Sequence, residues 1–458
     1  MTTVFHRQGR YAFSEEVKTY PPADLTVAHI ADCSSPFRKV LVSDKRVLPG
    51  KDLLTVPDLN VLTINTGSSS LKMTKYSLGR MEKRMLAASV DRIGSLKSLI
   101  HISDQNNGSL FDREDRIPDH RAALRTLLDQ IDQVSLSTID GIGHRVVLGD
   151  RRCSQPELIN GQLLSILKEL EELAPDHLPH VIDSIEAVTR VYPNVPQVAC
   201  FDSAFHSRMP RTSQMYALPR RFLDEGVSRY GFHGLSCEYI MQELMALDEG
   251  ASKGRVIVAH LGNGSSMTAV DNGVSIDTSM GFTPIAGLVM GTRCGDLDPG
   301  ILLYLMNRHG MTFSELNDLV NKQSGLLGLS EYSADMRDLL ERETTDARCA
   351  EAITVFCYDA RKFIGAYTAA LGGLDTLVFT GGIGEHAAAI RERICAGLNC
   401  IGITLDEDAN RLNAAVITRK GSAVTVRVIK TNEDLMIARH TSNAIQAVRQ
   451  GERNDYRI

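Results

Sequence analysis

From Asn60 onward, short β-branched runs alternate with amphipathic stretches, and each run ends in glycine or polar residues. Val61–Asn65 leads into TGSSS, Gly143–Val147 into LGD and Val198–Asp202 into SAFH. Val256–Leu261 leads into GNGSS, and Leu377–Thr380 into GGIGE. Compact apolar runs closed by turn residues predict buried strands, each delivering a chemically loaded turn at one end. Leucine or isoleucine at 163, 164, 166, 167, 170 and 173 forms a one-sided stripe closed by Pro175, which predicts a helix. The stretch Ala350–Leu371 repeats apolar residues at helical spacing and predicts a long, largely buried helix. A helix is expected to begin near His386, directly after GGIGE. Thr431 and Asp434 have capping-box spacing ahead of another, through about Val448. Strands alternating with helices predict an α/β fold.

Residues 1–58 have a different texture. Their apolar residues keep no period, and Pro21, Pro22, Pro36, Pro49 and Pro57 interrupt them. They read as an N-terminal extension, partly extended and partly disordered, without a catalytic role. The turns GSSS and GNGSS recur about 200 residues apart. That recurrence points to two related halves around one cleft.

Composition narrows the function. The chain has 458 residues with a formal net charge of −6, and a pI near 6.1. No basic stripe is present to neutralise a nucleic-acid backbone. Nine cysteines show no CxxC pair and no zinc-like spacing, as expected of reduced core thiols. Met1–Thr26 lacks a basic start followed by an apolar stretch, and no apolar run is long enough to span a bilayer. A cytoplasmic protein without a membrane or nucleic-acid partner is expected.

Each motif carries a plain reading beside a chemical one. Asn65–Lys72 (NTGSSSLK) is either a hairpin turn or a phosphate loop, in which backbone N–H groups, hydroxyls and Lys72 face an anion. The Walker sequence GxxxxGK[ST] is absent. His260–Ser266 (HLGNGSS) is either an Asn-Gly hairpin or a second phosphate turn using Asn263 and Gly264. Gly382, Gly384 and Glu385 lie in a strand-to-helix turn where a flat base or sugar can approach the main chain. Arg145 and Asp202 lie in apolar runs, and Arg293 in a glycine-bracketed loop. They form either a structural ion pair or a grip on a phosphoryl group in transit. Histidines 177, 206, 233 and 260 have no zinc spacing, and a hydrogen-bonded core histidine is the plain reading of each.

Taken in order, these segments resemble the acetate kinase branch of the sugar kinase, Hsp70 and actin superfamily, over roughly residues 60–445. The motifs that carry the resemblance are INTGSSSLK, GHRVV, FDSAFH, YGFHG, HLGNGSS, DTSMGFTP, GLVMGTR, NKQSGLLG, FTGGIGE and TNEDLMIA. It implies a two-domain, duplicated ribonuclease H-like fold with a central ATP cleft. Residues 59–203 with 435–458 would form one domain and 204–434 the other. It further implies a homodimer and in-line transfer from ATP to a small carboxylate, with Mg²⁺ (or Mn²⁺) as cofactor.

Carried over by position, Asn65, Ser68, Ser70 and Lys72 belong to the first phosphate loop, and His260, Asn263 and Gly264 to the second. Arg145 and Arg293 match the pair that orients the acyl group and stabilises the moving phosphoryl; His233 matches a transition-state histidine. Asp202 and Glu433 match acids associated with catalysis and magnesium, with Asn65 on the metal side. Asp335 and Arg337, with Gly382–Glu385, match the adenosine side. Val147, Phe232 and Pro284 match the apolar wall around the acyl methyl.

Two departures fall at that wall. Leu148 stands where the family has a histidine, and Asp176 where it has an apolar pocket residue. An aspartate facing a carboxylate repels it unless a cation such as Arg145 intervenes. The expected activity is an acetate kinase. The alternatives are a propionate or other short-chain carboxylate kinase, a nucleotide-binding regulator with a decayed acyl site, or an actin- or Hsp70-like ATPase.

Overall fold

The computed structural model describes residues 4–6, 25–27, 58–67, 69–134, 138–175, 177–449 and 451. Two units are distinguished, Met1–Pro57 and Asp58–Ile458. In the first, β1 (Val4–His6) pairs in parallel with β2 (Leu25–Val27). The rest of the N-terminal segment lies outside the described residues.

The second unit holds two sheets. The larger contains β3 (Leu59–Thr66), β4 (Ser70–Leu78), β5 (Glu82–Asp91), β6 (Ser98–Asp104) and β7 (Ser109–Asp115). It is completed by β8 (Gly141–Val146), β9 (Glu157–Leu158) and β10 (Gln197–Phe201), in the order β7-β6-β5-β4-β3-β8-β10-β9. The smaller contains β11 (Arg255–Leu261), β12 (Ser265–Asp271), β13 (Val274–Thr278), β14 (Thr376–Thr380) and β15 (Thr425–Val428). Its order is β13-β12-β11-β14-β15.

One topology underlies both sheets. The series β5-β4-β3-β8-β10 pairs antiparallel, antiparallel, parallel, parallel. The series β13-β12-β11-β14-β15 pairs in the same way. Numbered within each half, the strand order is 3-2-1-4-5 twice. This is the duplicated α/β architecture expected from the sequence, and the two glycine-rich turns occupy equivalent hairpins, β3–β4 and β11–β12. The continuous apolar runs of β10 and β14 are buried along their whole length, as for parallel strands covered on both faces.

Helices supply that cover. The main ones are α1 (His120–Val134), α2 (Gly161–Glu169), α3 (Leu178–Val191), α4 (Gly234–Leu247) and α5 (Pro299–His309). They are followed by α6 (Ala347–Ala370), α7 (Gly381–His386), α8 (Ala388–Cys395) and α9 (Glu433–Arg449). The stripe at 163–173 bends into a 3-10 turn over Leu170–Leu173. α6 buries one face, through Ile353, Phe356, Ala360 and Ile364, against β11, β12 and β14. It is not largely buried, because Val355 (38% exposed) and Tyr358 (60%) face away from that core.

α9 lies against β8 at glycine distance. A Cβ at Gly143 would sit 2.2 Å from Thr441 Oγ1, and one at Gly141 2.0 Å from Ile445 Cδ1. The absent side chains let the helix backbone seat directly on the strand.

Two local expectations need correction. GGIGE is not a turn ahead of a helix at His386; Gly381–His386 is itself helical, with Gly381 at φ +77°. A Cβ at Gly381 would lie 2.7 Å from the Leu261 carbonyl oxygen, so glycine is required there. The Thr431/Asp434 pair forms no capping box. Asn432 Oδ1 accepts from the Leu435 N–H at 3.1 Å, and Asp434 Oδ2 accepts from Thr74 Oγ1 of β4 at 3.1 Å. Tertiary partners outbid the local cap.

Among the described residues the eight cysteines are free thiols, six of them buried. No described helix is long and apolar enough to cross a membrane.

Candidate active site

The C-terminal ends of β8 and β10 bring together the first charged pair. Arg145 Nη2 donates to Asp202 Oδ2 at 2.6 Å, and Nη1 donates to Asn65 Oδ1 at 3.2 Å. Glu433 Oε2, at the head of α9, lies 4.0 Å from Arg145 Nε. Burial opposes the guanidinium charge, but Asp202 and Glu433 outweigh it and raise the Arg145 pKa. Nε is buried without a hydrogen-bond partner.

Asp202 is completely buried. Its Oδ2 also accepts from the His233 N–H at 3.2 Å, and Oδ1 from the Leu235 N–H at 3.4 Å. The carboxylate thus caps α4 as well as holding Arg145. This geometry puts His233 at φ +57°, a left-handed conformation uncommon for a residue with a side chain. The turn aims the imidazole at the second sheet, where Nδ1 meets Ser266 Oγ at 2.9 Å.

His233 stacks on His260 of β11, with ring centroids 4.3 Å apart. Burial, then the nearby His260, Arg145 and Arg293, hold the His233 pKa well below its ordinary value. Burial likewise lowers that of His260, against the opposing pull of Glu433 and Asp202. Both rings are neutral at pH 7.

Arg293 enters from the glycine-bracketed loop, where its Nη1 donates to the Pro284 carbonyl at 3.2 Å. A Cβ at Gly264 would lie 3.3 Å from His233 Nε2 and 3.5 Å from Arg293 Nη1. The HLGNGSS turn, His233 and Arg293 therefore share one wall. Asn263 Oδ1 would be 2.0 Å from a Cβ at Gly291, and the Gly291 N–H donates to the Asn263 carbonyl at 3.0 Å. GNGSS and MGTR thus lock together.

The remaining sequence-derived residues lie around this cluster. Lys72 is exposed on β4, directly opposite Asn65 in register. Val147 and Phe232 are buried in one apolar cluster with Leu148, Met280 and Met290. Gly382 lies in α7, whose start abuts the Leu261–Gly262 backbone. Gly384 follows in the same helix. Glu385 turns inward, accepting from the Gly381 N–H at 3.0 Å and the Thr431 N–H at 3.1 Å. Asp335 and Arg337 bind each other at 2.6 Å; the Arg337 side chain is 86% exposed. They connect to the rest through Ala334, whose carbonyl lies 3.2 Å from a Cβ built at Gly291. Ser68 and Asp176 lie outside the described residues.

Among the described residues no three His, Cys, Asp or Glu side chains cluster as a metal site. A cavity of about 1020 Å³ lies beside the cluster, lined by Ser203, Phe205, His206 and Tyr230 but not by Arg145, His233 or Arg293. His206 keeps its plain reading: its ring bonds Ser275 Oγ and the Phe232 carbonyl, and burial lowers its pKa to about 4.

Sequence reasoning missed several groups. Asp434 is half-buried, its Oδ1 inaccessible and without a hydrogen-bond partner; burial first and Glu433 second raise its pKa. Ser236 and Thr431 join His260 to Glu385 by hydrogen bonds. Arg391, fully buried, donates to Gly384, Glu385 and Asn410 carbonyls and to the Asn410 and Asn413 side chains. Thr431 and Asp434 show in the sequence only as a local cap, and Arg391 left a signal as a charge inside the apolar spacing of Ile390 and Ile394.

Comparison with known proteins shows the family. The acetokinase family profile matches residues 60–439. The acetate kinase of Halothermothrix orenii is 41% identical over 402 residues, covering 85% of this chain and 100% of that one. The acetate kinase of Rhodopseudomonas palustris is 43% identical over 387 residues, covering 83% and 97%. Among solved structures, Porphyromonas gingivalis acetate kinase superposes with a TM-score of 0.77 at 35% identity, covering 84% and 100%. A propionate kinase from Francisella tularensis gives 0.79 at 37% identity, covering 84% and 99%. On the matched motifs, the duplicated sheets and these relatives together, the chain belongs to the acetokinase family.

Proposed function

We propose that this protein transfers the γ-phosphoryl group of ATP reversibly to acetate, giving ADP and acetyl phosphate. The observation that carries the reading is the convergence of His233, Arg293 and the Gly264 turn on one wall, with Arg145 joined to His233 through Asp202. A phosphoryl group in flight spreads negative charge over its oxygens, and two fixed guanidinium groups stabilise it without reorganising. Acetate is already an anion near neutral pH, so no general base is needed. Neutral His233 donates a hydrogen bond to the transferring group. Asp202 holds Arg145 and the head of α4 in place.

The nucleotide lies between the two equivalent hairpins, its phosphates on Asn65–Lys72 and His260–Gly264. Its adenosine lies toward Gly382–Glu385, Asp335 and Arg337. The domains are 59–203 with 435–458, and 204–434, closing on it. Magnesium fits the oxygens at the head of α9: Glu433 is partly accessible, Asp434 Oδ1 lacks a partner, and Asn65 is adjacent. Glu433, Asp434 and Asn65 would hold it only together with the bound nucleotide, as suits a cation that dehydrates reluctantly. When bound, Mg²⁺ or Mn²⁺ neutralises phosphate charge. Val147, Phe232 and Pro284 receive the acyl methyl. We further propose that it works in the cytoplasm as a homodimer; the exposed Leu303 (67%), Tyr304 (58%) and Phe313 (84%) on and beside α5 support a second copy as partner.

Leu148, fully buried in the cluster of Val147 and Phe232, favours a second reading, a preference for propionate. Hydroxylamine trapping of the acyl phosphate with acetate, propionate and butyrate tests both. Acetate is expected to give the highest kcat/KM, and one methylene shifts it by ~10–200-fold. ATP binding with no hydroxamate from any acid would identify a regulator. ATP hydrolysis without an acceptor would identify an ATPase.

A further inference from the structure

A hydrogen-bond chain runs behind the second phosphate turn. His260 Nδ1 lies 2.8 Å from Ser236 Oγ, and Ser236 Oγ lies 2.8 Å from Thr431 Oγ1. The Thr431 N–H donates to Glu385 Oε1 at 3.1 Å, and the same oxygen accepts from the Gly381 N–H at 3.0 Å. Four elements contribute one member each: β11, α4, the segment entering α9, and α7. Ser236 is fully buried, which removes water as a substitute partner.

A neutral imidazole carries one proton, and its two nitrogens play opposite roles. If Nδ1 held the proton, Nε2 would present a lone pair to the polyphosphate, and the contact would repel. If Nδ1 accepts from Ser236, Nε2 holds the proton and donates toward a phosphate oxygen. Serine can donate to His260 while accepting from the Thr431 hydroxyl, so one consistent orientation satisfies every group. Burial keeps the ring uncharged.

We propose that Ser236 and Thr431 are positioning residues that hold His260 as the Nε2–H tautomer, making it an uncharged donor to the nucleotide phosphates. The proposal rests on the placement of His260 in the second phosphate turn. Through Glu385, the same chain ties that donor to the start of α7, so the phosphate and adenosine sides are set together.

The test separates hydroxyl chemistry from packing. Thr431→Val keeps the shape and loses the hydroxyl, whereas Thr431→Ser keeps the hydroxyl and loses a methyl. Thr431→Val and Ser236→Ala are expected to lower kcat/KM for ATP by ~10-fold or more, the worth of one charge-assisted hydrogen bond. Thr431→Ser is expected to stay within ~3-fold of the parent, a bound below the worth of one hydrogen bond. In protein with ¹⁵N-labelled histidine, the His260 signal, identified by its loss in His260→Asn, is expected to show a protonated Nε2. The mixture should shift toward Nδ1–H in Ser236→Ala. A parent ring protonated at Nδ1, or a Thr431→Ser as damaged as Thr431→Val, overturns the proposal. Unchanged ATP kinetics in His260→Asn would instead overturn the phosphate-turn reading beneath it.

Discussion

Two arginines, one in each half, are held in opposite ways. Arg145 faces acids: Asp202 binds Nη2, Asn65 accepts from Nη1, and Glu433 lies 4.0 Å from Nε, which has no hydrogen-bond partner. Arg391 faces only neutral acceptors, three carbonyls and two asparagine side-chain oxygens, which take five donor bonds. Burial lowers the Arg391 pKa, whereas the acids around Arg145 raise it. A guanidinium with every donor spent fastens structure, here the end of α7 to α8 and the Asn410 turn. One flanked by acids, and left with a spare N–H, remains available to a ligand. Burial of charge alone does not mark a working residue; what remains unsatisfied does.

The largest effect that could break this contrast is expected from Arg391→Met. It strands buried carbonyls and amides, and should cost about 4 kcal/mol of stability, read by calorimetry or denaturant melting. Its kcat in the folded state at 25 °C should fall much less than that of an Arg145 variant. Arg145→Ala and Arg293→Ala are each expected to lower kcat by ~100-fold or more, as for loss of a preorganised donor. Steady-state acyl phosphate formation measures this, and near-parental turnover in either would remove that arginine from the reaction.

Buried groups that avoid charge sharpen the contrast. His144, bonded to Gln197, and His206 are both held near pKa 4 by burial. Each binds a proton more readily when unfolded, so stability is complete above about pH 6.5 and declines as pH falls toward 4. The loss approaches about 3 kcal/mol per histidine, and melting temperature against pH should show it, with a shallower slope in His144→Gln. The smallest effect is expected at Asn432→Ala, which removes the cap at Leu435 and should cost ~1 kcal/mol.

The strands were legible because their apolar runs are largely buried and end at glycine or polar residues. All five predicted runs are strands, with ends shifted by at most two residues. The hairpin reading of the glycine turns holds, since GSSS and GNGSS each join two antiparallel strands. The matching 3-2-1-4-5 order was beyond reach, because register and neighbour choice depend on contacts far apart in the chain. The Thr431 expectation failed for the same reason: a capping box is local, and Thr74, Ser236 and Glu385 are not. The charged residues of the cleft were found as polar interruptions in apolar runs. Ser236 left no such trace, for a serine inside a helix looks the same whether it faces water or an imidazole.

The repeated strand order has a consequence for how such a cleft can specialise. Two identical halves would present any guest with twin grips related by a pseudo-dyad. A triphosphate with a base at one end and a reacting group at the other has no such symmetry. Carrying both copies in one polypeptide releases each hairpin from matching its twin. One became GSSS and the other GNGS, and the guest acquires a head and a tail.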